Sequence, residues 1–236
     1  MPDAEDEAGD VCTAPMIRWL IAVSLLVANA AAAQPVRVVA TWPIALAELP
    51  AVPAASHELR LSAHVFTGSR WSTPEIVAAI GGAAGLLAQC DVALTTAELR
   101  VIEAPAHFQV YFTPVSRALL RLIEAARPAL FFVEDTRNQP AFDAEAIGRA
   151  NSAKRPELAD TVWITYGAPD LAITIAHELV HLLSDSGAHE VAPGNLMLPE
   201  TAPDHTRLSE RQCSALRTLG QANGLLTRRV ATPGAR

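Results

Sequence analysis

The sequence predicts an α+β (mixed α/β) fold, a twisted sheet packed on helices. Three observations carry that expectation. Half of the 236 residues are apolar, enough to fill the core of one domain of moderate size. Short β-branched and aromatic runs alternate with helix-start signals, in the order strand, helix, strands, helix, strands, helix, turn, helix. No internal repeat and no long low-complexity run interrupts that order.

The elements follow along the chain. Residues 34–56 carry Pro35, Pro43, Pro50 and Pro53 among many alanines and read as a Pro/Ala-rich linker or extended arm. Leu59, Leu61, Ala63 and Val65 alternate with Arg60, Ser62 and His64, the pattern of a half-buried strand. His64 then falls on its polar face, a surface residue and not a ligand; His57 and His107 are similarly isolated. Thr73-Pro74-Glu75 opens a helix, with Thr73 as N-cap and Pro74 in the first turn, running to about Leu87. Gly81, Gly82 and Gly85 lower its intrinsic stability, and their use is close packing on a sheet. Strand signals recur at 92–95 and 99–103. Thr113-Pro114 opens a second helix that ends before Pro128. Leu130–Val133 and Thr161–Thr165 are short strands. Asp170, after Pro169, is an N-cap candidate, and Leu171, Ile175, Leu179 and Leu182 form one apolar helical stripe. Ser209 and Gln212 form a capping box, with Leu208 and Cys213 as staple, opening a last helix near 210–222.

The N-terminal segment has a different character. Residues 16–33 hold one cation, Arg18, then the apolar run Trp19–Val27, then alanines with A-x-A choices before Gln34. That is the layout of a cleaved secretory signal, too short for a comfortable membrane span. The acidic residues 1–15 do not suit what precedes such a signal and read as an extension upstream of a true start at Met16. The expected localisation is secreted or periplasmic, with no stable membrane anchor after cleavage. Of the formal charge of −7, residues 1–33 account for −4, so the body is weakly acidic. With no basic stripe, nucleic acid is not an expected partner. Once the signal is removed, Cys90 and Cys213 remain, either as one disulfide or as two buried thiols.

The chemistry concentrates on the predicted helix after Asp170. His177, Glu178 and His181 stand as H-E-x-x-H. Histidines four apart share one helix face, so both imidazoles reach one metal ion, and the glutamate beside the first reaches water bound to it. The pattern predicts Zn2+ and a reaction together: activated water attacking a carbonyl, most often a peptide bond. Downstream lie His189, with Gly187 two residues before it, and Pro-Gly-Asn-Leu-Met-Leu-Pro at 193–199, turn formers around Met197. Gly187 at positive φ would end the helix and return the chain toward the metal.

At these residues the chain resembles the metzincin metallopeptidases, whose signature is H-E-x-x-H-x-x-G-x-x-H followed by a methionine-containing turn. The step from His189 to Met197, and Asn-Leu-Met-Leu-Pro, look like the matrixin branch. The later Arg-Leu-Ser-Glu-Arg-Gln-Cys at 207–213 is similar to the segment opening that fold's last helix. The resemblance covers about residues 165–215. It implies His177, His181 and His189 as zinc ligands, Glu178 as general base and Met197 as the turn methionine beneath the metal. It also implies a zincin-like domain over 57–236 with the zinc helix at the base of a cleft. The chain departs from the pattern in two places. Ser184 stands where the family has glycine, and the third histidine comes two residues late, as an insertion with Gly187 in the glycine's role would produce. Asp185, Glu200 and Glu210 are rival third ligands.

The expected function is a secreted zinc-dependent metalloendopeptidase acting on a protein or peptide substrate. Two other readings stand beside it: a zinc amidohydrolase acting on cell-wall peptides, and an exported binding module with a remnant zinc site. Substrate preference and oligomeric state are not legible in the sequence.

Overall fold

A computed structural model describes residues 35–45, 49–52 and 54–229. The expected signal and upstream extension lie outside them. The described chain forms one compact unit.

The sheet is built first from β2 (His57–Phe66), β3 (Val92–Glu103), β5 (Ala129–Val133) and β8 (Thr161–Thr165), all mutually parallel where they pair. Two antiparallel edges complete it: β1 (Arg37–Pro43) on β3, and β7 (Ala144–Ile147) on β8. The order is β1-β3-β2-β5-β8-β7, and β9 (Leu226–Arg228) pairs with the first residues of β2. A small second sheet joins β4 (Val110–Tyr111) to β6 (Asp135–Thr136). The fold is mixed α/β, as the sequence predicts.

β5 and β8 are buried on both faces, as is β2 from Leu61 to Phe66, and alternate residues feed two cores. Leu59, Leu61, Ala63, Leu130, Phe132, Val162 and Ile164 face a core shared with helices α1 (Thr73–Leu87), α3 (Leu171–Leu183) and α4 (Glu210–Ala222). Phe66, Phe131, Val133 and Trp163 face the other, closed by α2 (Thr113–Leu122) through Leu119. This overturns the surface placement of His64. It is fully buried, stacked on Phe131 with ring centroids 4.5 Å apart, because β2 is central and is buried on both faces from Leu61 to Phe66.

Four other local expectations shift. Within the segment read as a linker, residues 37–43 are an edge strand; Val38, Val39, Thr41 and Trp42 supply β propensity that the flanking prolines obscured. The N-cap of α1 is Ser72, one residue early, and its Oγ accepts the Glu75 amide. The two signals at 92–95 and 99–103 are one strand, with a register shift against β2 at Leu59/Arg60. Gly82 packs helix on helix: a Cβ there would lie 2.7 Å from the Ala172 Cβ, so its absence sets how closely α3 approaches α1. The capping box of α4 is present in both directions between Ser209 and Gln212. Cys90, in the 3-10 turn after α1, is bonded to Cys213 on α4.

Candidate metal centre

Helix α3 carries the H-E-x-x-H pattern as the periodicity predicts. Ile175, Leu179 and Leu182 are buried against the core, while His177 and His181 project from another face. Asp170 precedes the helix in a left-handed conformation, and its side chain makes no cap. Its carbonyl takes the Ile173 and Thr174 amides, and the Thr174 hydroxyl donates to the Pro169 carbonyl.

The other end of α3 decides the third ligand. The Asp185 amide reaches the Leu182 carbonyl and the Ser186 amide reaches the His181 carbonyl, a Schellman closure with Asp185 at φ 46°. The left-handed residue is therefore Asp185; Gly187 does not have positive φ, contrary to the expectation. An aspartate tolerates this region better than most residues, and here its Oδ1 is held by the Ala150 amide at 2.8 Å. That bond commits Asp185 to the loop after β7, outside the histidine cluster.

Beyond this turn the chain is stitched back over the helix. The Glu190 amide donates to the Met197 carbonyl, and the Glu190 carboxylate pairs with Arg211 on α4. These contacts hold the adjoining His189 toward the cluster. The turn Asn195–Leu198 is closed by the Leu198 amide on the Asn195 carbonyl, and the Met197 amide donates to Asn195 Oδ1. Asn195 in turn exchanges two 3.0 Å hydrogen bonds with Gln212, whose Oε1 also takes the Ser209 amide. Met197 is buried in the main core. Asn195 thus ties the turn to α4, a role that its place in Asn-Leu-Met-Leu-Pro does not disclose because its partner Gln212 lies 17 residues on.

The three histidines converge. His177 Nε2 lies 2.9 Å from His181 Nε2, which lies 3.3 Å from His189 Nε2, and the ligand atoms all fall within 4.8 Å of one another. Backbone carbonyls fix the tautomers of the first two. The Leu196 carbonyl accepts from His177 Nδ1 at 2.7 Å, and the Ser186 carbonyl accepts from His181 Nδ1 at 2.6 Å. A carbonyl only accepts, so both Nδ1 atoms carry the proton and both Nε2 atoms of the neutral rings present bare lone pairs. Protonating the rings is disfavoured. Burial pushes His177 below the usual histidine range, and burial with the neighbouring His177 takes His181 down to about 4. Lone pairs facing one another at this range repel unless a cation sits between them. A tetrahedral ion with 2.0–2.1 Å bonds needs nitrogens about 3.3 Å apart. The group can therefore bind a metal ion.

Glu178 is half-buried beside this group. Burial raises its carboxyl to about 7, the Ala146 amide on β7 pulls the other way, and Glu145 adds repulsion. The remaining candidates lie elsewhere. The Glu210 carboxylate pairs with Arg217, and Glu200 borders a cavity of about 470 Å³ next to His177 and Glu178 without joining the three nitrogens. His205 gives its Nδ1–H to the Glu200 carbonyl. His57 is held by Ser56 and Gln221. No protein-family model matches the chain, and no curated protein is similar to it.

Proposed function

We propose that this chain is an exported zinc-dependent endopeptidase of metzincin type. The observation that carries the reading is the set of three Nε2 atoms with the half-buried Glu178 carboxylate alongside. Three imidazoles, without a thiolate or carboxylate in the set, suit zinc and would leave it a fourth position for water. When bound, zinc would supply Lewis acidity and an acidified water. The chain's own residues do the rest. His177 and His181 are aimed by the Leu196 and Ser186 carbonyls. Glu178, with a carboxyl near neutrality, takes a proton from the attacking water and returns it to the departing amine. Strand β7 stands at the edge of the sheet, the side on which an extended peptide would pair. Export accords with the Cys90–Cys213 disulfide, since such bonds persist in oxidising compartments.

The test is Glu178→Gln in the zinc-loaded protein. Expected are one zinc per chain, as in the wild type, and peptide hydrolysis slowed by roughly 10²–10⁴-fold. A variant that keeps most of its turnover would remove Glu178 from the mechanism. Absence of zinc from a wild-type protein supplied with it would remove the reading altogether.

A further inference from the structure

The cavity of about 470 Å³ beside His177 and Glu178 is bounded by the start of β7 on one side and by residues 199–201 on the other. Thr174 and Thr201, with hydroxyls 3.4 Å apart, line it, and Asp143 and Glu200 stand at its border. No lysine or arginine lines it. Among the described residues, neither Asp143 nor Glu200 forms an ion pair; the contacts made by these two residues run through their backbone carbonyls. His205, whose Nδ1–H goes to the Glu200 carbonyl, turns its Nε2 toward Asp204 at 3.8 Å. The cavity therefore carries negative charge with no cation of this chain to neutralise it.

Direction along the cleft follows from β7. Its first residue, Ala144, borders this cavity together with His177, whereas Ala146 and Gly148 border a smaller one with His181. For a peptide that pairs antiparallel to β7, the sense in which β7 pairs with β8, the chain runs from the His181 end to the His177 end, and the residue after the scissile bond enters the acidic cavity.

Resting on the peptidase reading, we infer that this cavity selects a cationic side chain, lysine or arginine, on the residue that follows the cleaved bond. The ammonium or guanidinium group reaches Glu200 and Asp143, and its aliphatic stem lies against Pro169 and Pro199. A carboxylate side chain at the same position meets two like charges and is rejected.

Two readouts test this. In the first, the zinc-loaded wild type is given peptides that differ only after the scissile bond, with lysine, arginine, leucine or glutamate there, and cleavage is followed by mass spectrometry. In the second, fluorescent lysine and glutamate peptides are titrated into Glu178→Gln protein and binding is read by anisotropy. A preference for lysine over leucine of roughly 10-fold is expected, shrinking severalfold in Glu200→Gln and reversing toward glutamate in Glu200→Lys. Cleavage without a basic preference overturns the assignment of the cavity and leaves the peptidase reading standing. Selective binding of the lysine peptide without hydrolysis of any peptide keeps the cavity and overturns the peptidase. Neither binding preference nor hydrolysis overturns both.

Discussion

Two regions hold the three-histidine group, and they are held in different ways. His177 and His181 sit on α3, a helix buried against the sheet and closed against α1 at Gly82. His189 is exposed and sits in the irregular stretch after α3, positioned by the Glu190–Met197 backbone bond, the Glu190–Arg211 pair and the Asn195–Gln212 exchange. The helix ligands are organised by burial of apolar surface, the loop ligand by a few polar contacts. The first kind of order survives loss of any single contact; the second does not.

The largest test of this contrast is removal of ligands one at a time. His177→Ala and His181→Ala should each abolish tight zinc binding, measured by metal content after dialysis, with circular dichroism unchanged. His189→Ala should also fall below one zinc per chain, and a variant with full zinc would return the third position to another group. Next is removal of the metal from the wild type. Hydrogen exchange should then rise across 184–209 and stay slow in α3 and β8; equal deprotection of both would deny the distinction.

Smaller effects follow from single side chains. Asn195→Ala strips partners from the Met197 amide and from Gln212, at a cost of about 1–3 kcal/mol by denaturant titration, with zinc affinity reduced through His189 and the Leu196 carbonyl. His64 tests the other face of the sheet, where it stacks on Phe131 of the core closed by α2. Burial lowers it from 6.5 to about 3, with Leu130 opposing and Arg100 and Arg127 adding repulsion to its charged form. The unfolded chain thus binds a proton that the folded chain refuses. The stability from this neutral ring is fully present above pH 6.5 and is lost as pH falls toward 3, by at most about 1.4 kcal/mol per pH unit. His64→Phe should flatten that part of the pH profile, and identical slopes for the two proteins would contradict the burial. The smallest expected effect is Asp185→Asn, which keeps the left-handed turn and should leave zinc content at one per chain. Zinc loss there would restore Asp185 as a ligand.

What the sequence made legible follows the same division. The stripe Leu171, Ile175, Leu179, Leu182 located α3 because burial imposes a 3.6-residue period, and Ser209 with Gln212 located α4 because a capping box is local chemistry. Thr161–Thr165 coincided with β8 for a similar reason, a short apolar run between turns. The misreadings arise where the deciding partner is distant. His64 alternates like a surface residue, but strands on both sides bury it. Ala144–Ile147 is too short to show a period, yet β8 makes it the edge of the cleft. Gly187 was the evident candidate for the turn, and Asp185 took it because the Ala150 amide, 35 residues away, rewards its carboxylate. His189 could be named as a ligand, but not the Glu190–Arg211 and Asn195–Gln212 contacts that hold its segment.

The disulfide has a practical corollary. Cys90 and Cys213 are 123 residues apart, and α3 and all three histidines fall between them. A chain cut once anywhere in that interval remains a single covalent object. On a denaturing gel without reductant it would migrate as an uncut species, and only thiol treatment would release two fragments. Backbone cleavage in a preparation of this protein should therefore be judged from paired reduced and unreduced lanes, since an intact-looking band without reductant says nothing about the peptide backbone around the three histidines.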